Sequence, residues 1–190
     1  MNDDLPVMLF KDETEWSDWL ENHGDAPGVW LRIAKKGSGL TSVTYQQAVD
    51  VGICYGWIDG LKKKYDEKSF IQRFTARKPR SNWSKINKDK ALKFIDEGKM
   101  KPAGLVTIEN AKKCGAWDLA YDSYSTIKVP EDLQKYFDEN KEVKEFFETL
   151  NSVNRFAILY RLQSARKPET REKRFKQFIE MLNKKEKIYS

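Results

Sequence analysis

Residues 54–87 read CYGWIDGLKKKYDEKSFIQRFTARKPRSNWSKIN and contain the pattern that decides the fold. Leu61–Tyr65 and Phe70–Phe74 each have the length and composition of a short strand. The polar residues 66–69 between them have the composition of a turn, so the pattern predicts a β-hairpin. This hairpin places a small antiparallel sheet at the centre of the chain.

The glycines that precede the hairpin predict a second local feature. Gly56 and Gly60 bracket Trp57-Ile58-Asp59, and glycine is the residue that tolerates tight turns and close backbone contacts. We therefore expect tight turns, or a close approach of the backbone to another group, at both ends of this segment.

Outward from the hairpin, hydrophobic spacing predicts further strands and helices. The segments before it are a strand at 7–10, a helix begun by Asp12, a strand at 29–34 and a helix opened by the Thr44/Gln47 capping box. After it we expect a loop around Pro79, a helix from Ser84 to about Glu97, and another from Pro102 to Gly115. Up to about residue 125 the chain is therefore predicted to be an α+β domain.

The remaining residues predict helices alone. Pro130 begins a series expected at about 130–139, 141–150, 152–166 and 168–187. The predicted fold is thus α+β, with a small antiparallel sheet covered by helices and an all-helical C-terminal module packed on it. The two predicted domains are residues 1–125 and residues 126–190.

Composition restricts the class of protein. Hydrophobic residues make up 39% of the 190 residues and aromatic residues 13%, as in globular chains. No apolar run reaches the length of a membrane span and the N-terminus lacks a signal pattern, so we expect a cytoplasmic protein. With two cysteines and one histidine, zinc clusters are excluded, both cysteines are expected to be reduced and buried, and no cofactor is predicted.

Positive charge is concentrated in two segments. Residues 61–90 carry 11 basic and 3 acidic side chains, and residues 166–190 carry 9 and 4, whereas residues 1–60 carry 4 and 10. Such clustering can steer an anionic partner towards the protein, but lysine-rich solvated surfaces have the same composition. Both interpretations stay open at this point.

Several motifs in the chain are similar to those of a known family. They are CYGWIDG at 54–60, RFTAR at 73–77, RSNWSKIN at 80–87, EGKMKPAG at 97–104 and SARKPETR at 164–171. In this order they resemble the YdeI/OmdA family of bacteriocin-protection or OmpD-associated proteins, over nearly the whole length from Trp16 to Leu182. The resemblance implies an association with tolerance of antibacterial peptides, but no reaction and no cofactor.

The arginine cluster after the hairpin is the candidate binding site. Arginine forms bidentate hydrogen bonds to carboxylate and phosphate groups, and the cluster precedes a predicted helix whose N-terminal amides also favour an anion. The candidate ligand-binding residues are Arg73, Arg77, Arg80, Ser81, Trp83, Ser84, Trp57 and Asp59. The structural alternative is that one arginine forms an ion pair with Asp59 while both tryptophans belong to the core.

Three functions are compatible with these residues. The leading hypothesis is a non-enzymatic binding protein for an anionic small molecule or an acidic protein surface. The first alternative is nucleic-acid binding through the same loop and the basic last helix. The second is an enzyme of unknown reaction at the Cys54–Asp59 turn, which is disfavoured because Cys54 ends a helix, where the dipole opposes a thiolate.

Overall fold

The structure is a computed structural model that describes residues 4–189. Its elements in chain order are β1 (Val7–Met8), α1 (Glu13–Asn22), β2 (Val29–Ala34), α2 (Tyr45–Cys54), β3 (Trp57–Lys64), β4 (Ser69–Ala76), α3 (Lys85–Asp96), α4 (Pro102–Lys113), α5 (Glu131–Glu139), α6 (Lys141–Thr149), α7 (Ser152–Gln163) and α8 (Pro168–Asn183). The predicted α+β class with a helical C-terminal region is confirmed.

The contacts divide the chain into two compact units. The first contains the described residues up to Ser81 together with Asn87–Asp118, and the second contains Asn82–Ile86 together with the residues from Leu119 onwards. The domain boundary predicted after residue 125, and the packing of the helical module on the sheet, stay predictions.

The first unit is built on a four-stranded sheet with the strand order β1-β2-β4-β3. The predicted hairpin is confirmed as the antiparallel pair β3/β4, and β2 is also antiparallel to β4. Strand β1 runs parallel to β2, so the sheet is mixed. Both hairpin strands are longer than predicted. In β3 the pairing register shifts between Asp59 and Lys62, which interrupts the alternation that marks a strand.

The edge position of β3 explains part of the central basic cluster. This outer strand contains Lys62, Lys63 and Lys64, all of which are exposed. Charged side chains on an edge strand oppose pairing with the edge of another molecule. Part of the positive charge in residues 61–90 therefore has a structural role.

Helix α1 covers one face of the sheet. Its N-cap Asp12 accepts a hydrogen bond from the Glu15 amide at 3.0 Å, as the sequence predicts. Its Trp16 is fully buried, and the Trp16 ring lies 5.6 Å from the ring of Phe74 and 6.1 Å from that of Trp57. The first core therefore lies between α1 and this face.

The second unit has its own hydrophobic core. The four predicted helices are confirmed as α5 to α8, although α7 ends at Gln163 and α8 at Asn183. The buried core residues are Leu133, Phe137, Val143, Phe147, Leu150, Ile158, Leu159, Leu162, Phe178 and Leu182. Every one of the four helices contributes to this core, which explains the apolar periodicity of the tail.

The two cysteines have different environments. Both are free, but only Cys54 is buried, so the prediction that both are buried is wrong for Cys114. The Cys114 thiol lies 3.0 Å from the Pro79 carbonyl oxygen, to which it donates. In the described part of the chain, no helix combines the length and apolarity that a membrane crossing needs.

Candidate functional site

Arg73 projects from the face of the sheet opposite to α1. It lies in β4 next to Phe74, in register with Trp30 of β2. Successive residues of a strand point to opposite faces, and Phe74 faces Trp16 of α1. The guanidinium of Arg73 is therefore on the other face, beside Trp30.

The guanidinium of Arg73 packs against the backbone of Gly60 in β3. A Cβ atom at residue 60 would lie 3.2 Å from Nε and 3.3 Å from Nη2 of Arg73. The Gly60 carbonyl is held by a hydrogen bond of 2.8 Å from the side-chain amide of Gln72. The close backbone approach that the sequence predicts at this glycine thus involves Arg73.

The Arg73 guanidinium lacks the partners that a buried donor requires. Its Nε is shielded from solvent and has no hydrogen-bond acceptor. Across residues 4–189 the guanidinium forms no other hydrogen bond and no ion pair. Leaving a buried donor without an acceptor costs about 1–3 kcal/mol, and more when the group is charged. An acceptor from outside the chain, such as ordered water or an anion, would satisfy this donor.

Other cations surround Trp30 on the same face. The Lys63 ammonium lies 5.0 Å from the centroid of the Trp30 ring, which is itself only 3% exposed. Arg32 of β2 forms an ion pair of 2.7 Å with Asp66 at the hairpin turn. The Arg73 face therefore carries two further basic side chains, although the charge of Arg32 is compensated by Asp66.

Trp57 and Asp59 belong to the opposite face. Trp57 is 2% exposed and packs against the tryptophans of α1, as the structural alternative predicts. The Asp59 carboxylate accepts a hydrogen bond of 2.7 Å from the Tyr45 hydroxyl. Across residues 4–189 it forms no ion pair, so the predicted ion pair with an arginine is wrong. Asp59 is in register with Phe74 and shares its face, so it points away from Arg73.

The loop after β4 places its candidate residues in different environments. Arg77 is 7% exposed, and its backbone amide donates to the Gly56 carbonyl at 2.9 Å. Arg80 is exposed, within a turn in which Ser81 Oγ accepts from the Lys78 amide at 3.0 Å. The three arginines thus occupy a sheet face, a buried position and an exposed turn.

Trp83 and Ser84 belong to the second unit. Trp83 is 1% exposed, and its carbonyl accepts from the Tyr121 amide at 2.9 Å. Ser84 forms a parallel bridge with Tyr121. These contacts give both residues a structural role, and of the eight predicted site residues Arg73 has the geometry that most favours a ligand.

A cavity of about 430 Å³ beside Cys54 was not predicted. Its lining includes Ser17, Cys54, Tyr55 and Lys101, and the Tyr55 hydroxyl lies 2.9 Å from Ser17 Oγ. Burial, together with the nearby negative charge of Asp50, raises the pKa of the Cys54 thiol to about 11. A thiol with this pKa is protonated at neutral pH, which argues against its use as a nucleophile.

Residues 97–104 contact the backbone of Cys54. The Lys101 amide donates to the Cys54 carbonyl at 3.0 Å, and Gly104 of α4 packs directly against the same carbonyl group. In the sequence, residues 97–104 were identified only as a family motif, and this contact was not predicted. The contact joins α4 to the end of α2.

Much of the positive charge of α8 is neutralised within the second unit. Arg171 forms two hydrogen bonds, of 2.6 and 2.8 Å, with Asp132. Lys176 and Lys184 are paired with glutamates four residues earlier. These pairs reduce the charge available to a polyanion, so no specific observation favours the nucleic-acid alternative.

The arrangement of acidic and sulfur ligands does not suggest a metal centre. Over residues 4–189, no group of three or more histidine, cysteine, aspartate or glutamate side chains is placed to hold an ion.

Comparison with protein families gives two matches. Residues 8–107 match the model of a domain of unknown function, DUF8412, which covers more than half of the chain. Residues 126–185 match the family described as Bacteriocin-protection, YdeI or OmpD-Associated. The chain belongs to the DUF8412 family and carries a YdeI/OmdA domain. Neither a curated protein nor a solved structure matches it.

The YdeI/OmdA resemblance predicted from the sequence is confirmed over residues 126–185, the helical part of the chain. The motifs quoted at 54–60, 73–77, 80–87 and 97–104 lie instead within the DUF8412 match. Arg73 therefore lies in the DUF8412 domain, whereas the motif at 164–171 lies in the YdeI/OmdA domain.

Proposed function

We propose that this protein is a binding protein that holds an anionic small ligand at Arg73. The observation that carries the proposal is the buried Nε of Arg73, which has no acceptor in the described chain. A phosphate or carboxylate supplies acceptor oxygens in the spacing that a guanidinium fork recognises. Binding of such a group would satisfy the donor and neutralise the charge together.

The surroundings of Arg73 support recognition of an anion. Gly60 leaves room for the guanidinium to pack against the backbone of β3. Lys63 adds a second positive charge above Trp30, the cross-strand neighbour of Arg73. These features orient the fork and raise the local potential before any ligand arrives, and such preorganisation reduces the cost of binding.

We favour binding over catalysis because Cys54, the most reactive side chain of the motif at 54–60, is poorly suited to act as a nucleophile. The raised pKa of Cys54 keeps its thiol protonated. Asp59, the acid of the same motif, is hydrogen-bonded to Tyr45. Both groups therefore have roles that do not require a reaction.

The matched family description mentions bacteriocin protection, and we extend this association to the present chain as part of the proposal. In this view a cytoplasmic protein binds an anionic metabolite or an acidic group of a partner and thereby contributes to tolerance of antibacterial peptides. Survival of a sensitive bacterium that expresses either the parent chain or Arg73→Gln would measure this contribution.

The test of the binding proposal is isothermal titration calorimetry with inorganic phosphate at constant ionic strength. Arg73→Gln removes the fork, and we expect affinity to fall by about tenfold or more, because hydrogen bonds to charged groups contribute about 1.5–3 kcal/mol. Gly60→Ala keeps every charge but displaces the guanidinium, so it should also weaken binding. Arg155→Gln, an exposed arginine of α7, is the matched control and should bind like the parent.

Two results would contradict the proposal. One is phosphate affinity that is unchanged in both Arg73→Gln and Gly60→Ala. The other is an equal loss in Arg155→Gln, which would show that net charge alone determines binding.

A further inference from the structure

The second unit contains a cavity of about 500 Å³ that has no part in the Arg73 proposal. Its volume falls within the range of about 300–1,000 Å³ that is usual for small-molecule sites. The lining residues are Lys85, Asp122, Thr126, Lys128, Val129, Pro130, Glu131, Leu159, Leu162, Gln163, Ala165 and Arg171. All of these residues except Lys85 and Asp122 lie within the YdeI/OmdA match at 126–185.

One wall of this cavity is apolar. Leu159 and Leu162 of α7 belong to the core of the second unit and are 6% and 1% exposed. Val129 and Ala165 add partly buried apolar surface to the same cavity. Such a wall can bind the hydrocarbon part of a ligand.

The positive charges of Lys85 and Arg171 at the cavity are already compensated by carboxylates. Lys85 forms an ion pair of 2.7 Å with Asp122, whose other oxygen accepts from the Gln163 side-chain amide at 2.6 Å. Arg171 is bound to Asp132 through two hydrogen bonds. The pKa values of both carboxyl groups are held below the usual range, by Lys85 in the first case and Arg171 in the second.

Lys128 is different from these two cations. It lines the cavity, and within residues 4–189 its ammonium has no hydrogen-bond or ion-pair partner. Its charge is close enough to Asp122 to lower the pKa of that carboxyl group further. The exposed carboxylate of Glu131 also lines the cavity without a partner in this part of the chain, and it opposes an anion there.

We infer that this cavity binds a small amphipathic anion, with the apolar body of the ligand against Leu159 and Leu162 and its negative group at Lys128. The apolar wall contributes affinity through burial, and Lys128 selects the sign of the charge.

The probe for this site is 8-anilinonaphthalene-1-sulfonate, whose fluorescence increases in an apolar environment. N-phenyl-1-naphthylamine has the same apolar body without the sulfonate and serves as the uncharged control ligand. We expect saturable binding of the sulfonate probe by the folded full-length chain and weaker binding of the neutral control.

Three variants locate the probe. Lys128→Gln should weaken sulfonate binding about three- to fivefold, the scale of a partly exposed ion pair, and leave the neutral control unchanged. Glu131→Gln should tighten sulfonate binding by about twofold, because it removes a repelling charge. Ala165→Phe should weaken both ligands by filling the cavity, and Lys135→Gln, an exposed lysine of α5, should affect neither.

The inference is overturned if the sulfonate probe does not bind, or if Lys128→Gln and Glu131→Gln leave its affinity unchanged. Because these two variants alter only exposed charges, their result does not depend on whether Ala165→Phe folds. The probe titration reports on Lys128 and Glu131 and the phosphate titration on Arg73, so failure here is separable from failure of the phosphate proposal.

Discussion

Gly104→Ala is expected to destabilise the first unit, because residue 104 has no room for a side chain. An added Cβ would clash with the Cys54 carbonyl oxygen and would lie 2.9 Å from the Cys54 carbonyl carbon. It would also lie 2.7 Å from Cε of Met100, which can move. The carbonyl cannot move easily, because it ends α2 and accepts a hydrogen bond of 3.0 Å from the Lys101 amide.

The expected magnitude follows from two opposing terms. Displacing α4 from α2 costs about 3 kcal/mol, the upper part of the range for overpacked sites. Replacing glycine by alanine inside a helix returns about 1 kcal/mol. The net loss is therefore about 2 kcal/mol, which lowers the urea midpoint by roughly 1 M if the slope is about 2 kcal/mol per molar.

The assay is urea unfolding followed by tryptophan fluorescence. Gly24→Ala is the matched control, because a Cβ there would meet only the Leu20 carbonyl oxygen at 3.9 Å and its stability should stay within about 0.5 kcal/mol of the parent. A Gly104→Ala chain as stable as the parent would refute the close contact between α4 and α2.

Three further predictions concern single side chains. The pKa of Asp122 lies below its ordinary 3.8 because of hydrogen bonds from the neighbouring lysine and glutamine, so its contribution to stability is present above about pH 4 and is lost as the pH falls through the lower folded-state value. In thermal melts the melting temperature should fall as the pH decreases below about 4, and this fall should be smaller in Asp122→Asn. An equal fall in Asp122→Asn would contradict the prediction. At pH 8 iodoacetamide should label exposed Cys114 before buried Cys54, as read by peptide mass spectrometry, and the reverse order would contradict the burial and the raised pKa of Cys54. Asp59→Asn should cost about 1 kcal/mol or less in urea unfolding, since it weakens one exposed hydrogen bond; a loss of about 3–5 kcal/mol would indicate a buried ion pair instead.

The sequence was a good guide where local chemistry determines structure. Asp12 and Thr44 mark the starts of α1 and α2 because their side chains cap backbone amides of the first turn. The hairpin was predictable from two strand-length segments, at 61–65 and 70–74, and the polar turn between them. The parallel pairing of β1 was not, since two residues carry no signal for the direction of a partner strand.

The site was predicted less completely, because it depends on which face of a strand each residue occupies. The bulge between Asp59 and Lys62 shifts the register, so spacing in the sequence does not show which side chains lie opposite each other. Arg73 and Asp59 consequently occupy different faces, although both belong to the same motif region. The cavities beside Cys54 and Lys128 are formed by segments distant in sequence, and no local pattern predicts them.

The most direct test of the central claim observes the Nε–H group of Arg73 itself. A ¹H–¹⁵N correlation spectrum of the arginine side chains, assigned with Arg73→Lys, would be recorded during titration with phosphate at constant ionic strength. We predict that the Arg73 Nε–H signal shifts saturably as it gains an acceptor, whereas that of Arg155 does not move. An Arg73 signal that stays in place while phosphate saturates the protein would contradict the account.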